Sequence, residues 1–173
     1  RWAPLLPRRL EPAGYRSYHS GKWHIDGTPL QGGFHHSYSL EDHDRNFAPR
    51  HHRLDDKPLP PVDPARETYY SSTAIADHAI RCLREHASDH PGRPFFSYIA
   101  FTAPHFPLQA AASDIEPFLH VYQSGWDQIR GARWEALRRL GLGRGGLAPV
   151  EPAVGPPYPF PDAIRALGHA EIE

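Results

Sequence analysis

The feature that most limits the fold of this chain is a helical pattern followed at once by an apolar strand. Residues 73–87 carry apolar side chains at helical spacing, with Ser72 or Thr73 as a candidate cap. Breaker residues at 88–92 end this helix. Residues 94–101 are almost continuously apolar and aromatic, which is typical of a strand buried on both faces of a parallel sheet. A helix leading directly into such a strand is half of a βαβ unit, so the sequence predicts an α/β fold with a mostly parallel sheet flanked by helices.

Weaker patterns define the rest of the chain. Residues 5–13 form a short helix interrupted by prolines, and residues 15–19 form a strand. Residues 26–68 show no sustained period and are interpreted as irregular. Residues 126–140 have helical spacing, with Gly141 as a stop, and residues 143–161 are rich in Gly and Pro. We therefore divide the chain into a domain at 1–145 and a poorly ordered tail at 146–173.

Composition narrows the classes of partner. The net charge is −1, which points away from nucleic acid and from anionic membrane surfaces. No apolar run approaches the roughly 18 residues that a membrane-spanning helix needs. A single cysteine excludes an internal disulfide. The chain contains no Met, so we expect its beginning, with any localisation signal, to be missing; both a secreted or periplasmic and a cytoplasmic location stay open.

Lys22 and His24 form the first candidate site. They are two residues apart, so on an extended backbone they face the same way, while Trp23 faces the other way and can anchor the strand. An ammonium beside an imidazole suits an anion, because one neutralises charge and the other exchanges a proton near neutral pH. The alternative is a surface strand end with two solvated polar side chains.

His105 forms the second candidate site. It follows the apolar strand, where open α/β sheets place their ligands, and Pro104 and Pro107 stiffen its loop. A positioned imidazole is suited to acid catalysis. The alternative is a histidine that caps a strand-to-loop turn.

Two further groups suggest chemistry but favour simpler interpretations. Histidines at 35, 36, 43, 51 and 52 lie among Asp42, Asp44 and Asp55, yet no zinc-type spacing is present, so a solvated polar loop is preferred over a metal site. Cys82 lies on the apolar helix face, so it is interpreted as a core residue and not as a nucleophile.

At these residues the chain resembles the sulfatase family. The run 13–24 (Ala-Gly-Tyr-Arg-Ser-Tyr-His-Ser-Gly-Lys-Trp-His) is similar to the family's pattern around Gly-Lys-Trp-His. The run 69–80, followed by 94–108 with its Ala-Pro-His-Phe-Pro-Leu, resembles the next part of the same domain. The resemblance covers about residues 10–140.

The resemblance implies an alkaline-phosphatase-like fold that hydrolyses small-molecule or saccharide sulfate esters. Family members use a formylglycine, made from a Cys-x-Pro-x-Arg motif, and a calcium ion held by acidic residues with Asn or Gln. By resemblance, Lys22 contacts the sulfate and the ester oxygen, and His24 bonds to the formylglycine and helps to expel sulfate. His105 lies near the leaving-group oxygen and helps to protonate it.

The chain departs from the family at the nucleophile and the metal. Cys82 is followed by Leu83, Arg84, Glu85 and His86, so it does not match the modification motif, and the family's metal ligands have no counterpart. We therefore expect a sulfatase fragment that is inactive alone. The alternatives are a phosphonate monoester hydrolase or phosphodiesterase of the same superfamily, and a non-catalytic degenerate domain.

Overall fold

The computed structural model describes residues 3–42 and 44–149 of the 173-residue chain. It contains two compact units, Arg1–Pro117 and Phe118–Glu173. The division expected at residue 145 stays a prediction, because most of the expected tail (146–173) lies outside the described residues.

The helices and strands follow one another in an α/β order. The helices are α1 (Leu6–Leu10), extended by a 3-10 turn (Glu11–Ala13), α2 (Ser71–Asp89), α3 (Ala112–Tyr122) and α4 (Trp126–Arg139). The strands are β1 (Arg16–Lys22), β2 (His36–Leu40), β3 (His52–Leu54), β4 (Lys57–Pro58) and β5 (Phe95–Ala100). Among the described residues, none of the helices is long and apolar enough to span a membrane.

The first unit is built on a five-stranded mixed sheet in the order β4-β3-β2-β1-β5. β1 is parallel to both of its neighbours, β2 and β5, whereas β3 and β4 add an antiparallel hairpin at one side. α2 packs against β1, β2 and β5, and α1 packs against β1. The predicted α/β class is confirmed, and the parallel strands at the centre of the sheet direct their carboxyl ends to a common edge.

α2 is the helix that the apolar pattern predicts. Its buried side chains include Ile75, Ala79 and Cys82, as expected, and the helix ends at Asp89 before the breaker cluster. The expected capping by Ser72 or Thr73 is wrong. The helix begins earlier, at Ser71, and the residue before it, Tyr70, makes no side-chain capping bond. Burial of one face, and not a cap, therefore fixes where this helix lies.

β5 is present as predicted, but its burial is not. Phe95, Tyr98 and Ile99 are 48%, 45% and 42% exposed. The expectation of a strand buried on both faces is wrong for the described residues, because β5 pairs with β1 alone and lies at the edge of the sheet. An apolar composition indicates that a strand favours burial, but it does not identify the elements that would pack against it.

The segment 26–68, interpreted as irregular, contains β2 and the β3–β4 hairpin. The hairpin turns at Asp55 and Asp56, whose φ angles are 47° and 63°. Positive φ at both central residues matches the twist of the flanking strands, and Asp tolerates it better than most residues. The strands are only two to five residues long and rich in polar side chains, so no sustained apolar alternation marks them.

In the second unit α4 confirms the predicted helix, and Gly141 follows it with φ of 72°. Within this unit Arg138 forms an ion pair with Glu135 at 3.5 Å, and Arg133 donates to the Tyr122 hydroxyl. α3 was not predicted and contains Pro117. Of the Gly/Pro-rich segment, residues 143–149 form neither helix nor strand, and 150–161 lie outside the described residues.

Candidate functional site

The candidate site lies at the carboxyl edge of the parallel strands. Gly21 of β1 aligns with Ala100 of β5, so Lys22, the last residue of β1, and the loop after β5 emerge at the same edge. Gly21 has a φ of 119°, and a Cβ at this position would overlap the Ala100 carbonyl. This close approach explains why glycine precedes Lys22, since any side chain would force the two strands apart.

Lys22 and His24 line one cavity of about 700 Å³ at this edge. Lys22 is half-buried and His24 is exposed. The other lining residues are mostly apolar: Leu5, Leu6, Pro7, Trp23, Ile25, Phe34, Phe96, Tyr98, Ala100 and Phe101. A lysine ammonium beside an imidazole at an apolar surface has the chemistry to accommodate an anion that carries an organic group.

Strand alternation predicts that Trp23 faces away from Lys22 and His24, and this prediction is wrong. β1 ends at Lys22, and Trp23 lines the same cavity as Lys22 and His24. Its indole Nε1 donates to the Gly27 carbonyl at 2.7 Å, and its ring packs at an angle against Phe34. The anchoring role expected of Trp23 is therefore fulfilled, although from the cavity side.

His105 lies in the loop after β5 at the same edge, but not among the residues that line the cavity. Its backbone N–H donates to the Thr102 carbonyl at 2.9 Å, and its Nδ1–H donates to the Phe106 carbonyl at 2.6 Å. These bonds orient the imidazole within its own loop. The structure thus brings Lys22 and His24 together and places His105 at the end of the adjacent strand.

His19 supports the site from below and was missed by the sequence analysis. It is fully buried, its Nε2 contacts the Lys22 carbonyl at 3.3 Å, and its Nδ1 contacts the Ser37 hydroxyl at 2.9 Å. Burial lowers the pKa of His19 to about 4, so the ring is neutral near pH 7. Because side chains alternate along a strand, His19 lies on the same face of β1 as Gly21. This alternation is the sequence signal that could have identified His19 as part of the site.

A buried polar network holds the loop that carries His105. The Asn46 side-chain oxygen accepts hydrogen bonds from Ser71 Oγ at 2.7 Å and from Thr102 Oγ1 at 2.9 Å. Thr102 in turn accepts the His105 N–H. Asn46 therefore connects the start of α2 to the end of β5, and no sequence pattern indicated this because its partners are distant along the chain.

A second, polar cavity of about 320 Å³ adjoins the first. Trp23, His24 and Ile25 line both cavities. The remaining lining residues of the polar cavity are Asp26, Gly27, Thr28, Pro29, Ser39, Glu41 and Arg53. No sequence pattern indicated this cavity, because most of its residues come from the segment 26–68, which shows no sustained period.

The described residues do not fit the calcium ion and formylglycine that the family resemblance implies. Residues 3–42 and 44–149 contain no group of three His, Cys, Asp or Glu side chains placed to hold a metal. Cys82 is buried in α2, 3.6 Å from His78 Nε2, and burial raises its pKa to about 11. A buried thiol that stays protonated is a core residue, as predicted, and is not poised to act as a nucleophile.

The histidine-rich segment is structural where it is described. His36 Nδ1 lies 3.1 Å from Asp55, and His52 contacts the Tyr38 hydroxyl and the Pro60 carbonyl. The interpretation as a solvated loop is wrong for these two residues, because both lie on strands. His43 lies outside the described residues.

The structure defines the class as an α/β protein with a lysine- and histidine-lined cavity at the carboxyl edge of its sheet. The protein-family comparison identifies the family: the Sulfatase model matches residues 1–140, so the chain belongs to the sulfatase family. An uncharacterised sulfatase of Schizosaccharomyces pombe is 33% identical over 154 residues. An arylsulfatase of Klebsiella aerogenes is 30% identical over 155 residues.

Each of these relatives is matched over 79% of this chain, which spans only 27% and 32% of their own lengths. Among solved structures, two of Ps i-CgsB are 23% identical, with TM-scores of 0.59 and 0.57. They cover 69% and 81% of this chain, which spans 31% and 37% of theirs, and the second contains k-i-k-neocarrahexaose. BT4656, in complex with its substrate D-glucosamine-2-N,6-O-disulfate, is 26% identical with a TM-score of 0.53 over 66% of this chain and 21% of its own. These likenesses confirm the alkaline-phosphatase-like fold.

Proposed function

We propose that this chain forms part of the sulfate-ester pocket of a sulfatase. The observation that supports this most strongly is that Lys22 and His24 line one cavity at the carboxyl edge of the sheet. Family membership adds the reaction class, the hydrolysis of a sulfate ester. The two relatives named as sulfatases favour sulfate over a phosphonate or phosphodiester substrate.

Each of the three residues has a role that follows from its charge. The Lys22 ammonium neutralises sulfate oxygens and the bridging oxygen, where negative charge grows as the ester breaks. His24, exposed beside it, would bond to the formylglycine of a complete site and help to expel sulfate, because an imidazole can donate or accept a proton near neutral pH. His105 protonates the departing alcohol or phenol, because a positioned imidazole is an effective acid near neutral pH.

Lys22, His24 and His105 supply neither the nucleophile nor the metal ion. We propose that a complete enzyme takes its calcium ligands and formylglycine from segments other than the residues described here. The chain alone should therefore not turn over an aryl sulfate. Release of 4-nitrophenol from 4-nitrophenyl sulfate by the purified chain, above a K22A variant, would contradict this.

The substrate class that we propose is a saccharide sulfate ester. BT4656 has a sulfated glucosamine as its substrate, and one Ps i-CgsB structure contains an oligosaccharide. The arylsulfatase relative keeps a smaller aromatic ester as the comparison ligand for any test.

Sulfate binding at Lys22 can be measured directly because the chain has two lysines, Lys22 and Lys57. With lysine labelled selectively, the side-chain NMR signals of both are followed while sodium sulfate is added at constant ionic strength. We expect a saturable shift of the Lys22 signal only, since Lys57 is exposed on β4 and lines neither cavity. Lys57→Arg assigns the two signals.

Equal, non-saturating shifts of both lysines would contradict the proposal, because they would show non-specific association of sulfate with any ammonium group. Phenylphosphonate is titrated in parallel, so that its affinity and that of sulfate can be compared. This comparison distinguishes a sulfatase from a phosphonate hydrolase. Tighter binding of the phosphonate would favour the alternative.

A further inference from the structure

We propose that the polar cavity beside His24 binds the hydroxylated sugar ring of a saccharide sulfate ester. This inference rests on the proposed function, because it assigns the sulfate group to Lys22 and His24. The polar cavity would then select the alcohol portion of the ester.

The two cavities are arranged for a ligand with two chemically different parts. Trp23, His24 and Ile25 line both, so a group held at His24 can extend directly from one into the other. The larger cavity contains Lys22 and is otherwise mostly apolar, whereas the smaller contains two carboxylates, two hydroxyls and a guanidinium. Its volume of about 320 Å³ lies at the lower end of the range of small-molecule sites.

Glu41 and Arg53 supply the chemistry that a sugar hydroxyl requires. Glu41 Oε1 accepts a hydrogen bond from Arg53 Nε at 2.8 Å, and the two side chains are 47% and 37% exposed. A hydroxyl both donates and accepts, so a carboxylate next to a guanidinium satisfies both functions of neighbouring hydroxyls. The guanidinium has more N–H donors than its contacts with Glu41 and the Asp56 carbonyl use.

The sheet holds this pair in place. Ser39 of β2 and Arg53 of β3 are direct partners in the sheet, and both line the polar cavity. The Glu41 N–H donates to the His51 carbonyl at 3.0 Å, which fixes the end of β2. Side chains on paired strands are better positioned for recognition than those on loops.

The opposite wall is also ordered before any ligand binds. The bond from Trp23 Nε1 to the Gly27 carbonyl closes the turn that carries Asp26. Thr28 is held through a hydrogen bond from its hydroxyl to Asp56 and another to its Oγ1 from the Gln31 N–H. Preformed walls reduce the entropy lost on binding, which favours weak, polar ligands such as sugars.

The experiment compares four ligands on the full chain: sodium sulfate, glucose 6-sulfate, phenyl sulfate and glucose. Binding is followed through the Lys22 side-chain signal and the Arg53 Nε–H signal. We expect glucose 6-sulfate to bind about tenfold more tightly than sulfate, because charged hydrogen-bonding groups meet the sugar. It should shift both signals, whereas sulfate should shift Lys22 only.

Arg53→Gln should remove this tenfold gain and leave sulfate binding unchanged. Arg66→Gln is the matched control, because Arg66 also pairs with a carboxylate, Asp63 at 3.2 Å, but lines neither cavity. Glu41→Gln is the second variant, and amide spectra confirm that each protein is folded.

The outcomes separate the two proposals. If Lys22 responds to sulfate but glucose 6-sulfate binds no more tightly, the sugar site is wrong and the proposed function stands. If phenyl sulfate binds more tightly than glucose 6-sulfate, the apolar cavity holds the organic group and the sugar site is again wrong. If Lys22 responds to no ligand while Arg53 still shifts with both glucose 6-sulfate and glucose, the sulfate site fails, and the polar cavity binds free sugar and not the alcohol portion of a sulfate ester, which overturns both proposals. If neither signal responds, both proposals fail.

Discussion

Gly21 of β1 lies against the carbonyl group of Ala100 in β5, with no room for a Cβ between them. The contact joins the strand that ends in Lys22 to the strand that leads to His105. The alignment of the candidate site along the sheet edge therefore depends on the absence of a side chain at Gly21.

Gly21→Ala should lower the free energy of unfolding by about 3 kcal/mol or more, because backbone would have to move and φ is positive. Gly92→Ala is the matched control: its φ is 79°, but a Cβ there meets nothing within 4 Å. The control should cost about 1 kcal/mol. Urea unfolding of both variants measures this, and equal losses would show that steric overlap at Ala100 is unimportant.

His19 should make the fold sensitive to acid. Its folded pKa of about 4 lies below the ordinary value of 6.5, so below about pH 6.5 the unfolded chain binds a proton that the folded chain does not. Stability should fall as pH drops from 6.5 towards 4, by on the order of 3 kcal/mol from this residue.

Urea unfolding at several pH values tests this, with His19→Gln as the variant that cannot titrate. His78 adds a similar dependence, because burial, assisted by Arg81, lowers its pKa to about 4. His19→Gln should therefore flatten part of the slope. An unchanged slope would mean that His19 titrates normally in the folded protein.

Asn46→Ala should destabilise the fold by about 2–4 kcal/mol, because the buried hydroxyls of Ser71 and Thr102 would lose their acceptor. The change should also increase backbone motion around His105, which NMR relaxation measures. Combined with Ser71→Ala, the losses should be less than additive. Full additivity would show that the two residues do not act through one network.

Cys82 should resist modification in the native state. With a pKa of about 11, about one thiol in a thousand is ionised near pH 8, and the side chain is buried. Reaction with a thiol-specific disulfide reagent should be slow in buffer and rapid in urea. Native reaction at the rate of a small free thiol would place Cys82 at the surface and reopen its role as a nucleophile.

The elements that could be predicted from the sequence are those with long patterns of apolar residues. α2 follows from Ile75, Ala79 and Cys82, because helical spacing and burial carry the same information. β5 follows from its run of aromatic residues, but its edge position depends on pairing, which composition does not encode.

The missed parts of the site arise from contacts between distant segments. Arg53 and Glu41 meet only because the β2–β3 pairing aligns them. His19 resembles any polar residue in a strand until Ser37 of β2 and the Lys22 carbonyl are placed beside it. Lys22 and His24 were recognisable because they are neighbours in the chain.

The exposed edge strand has a practical consequence for handling the chain. Phe95, Tyr98 and Ile99 present apolar surface on a strand whose outer edge has no partner among the described residues. Such an edge is a template for additional strands from other molecules. We expect self-association that rises with protein concentration, so the solubility of the chain sets the upper limit for the titrations proposed above.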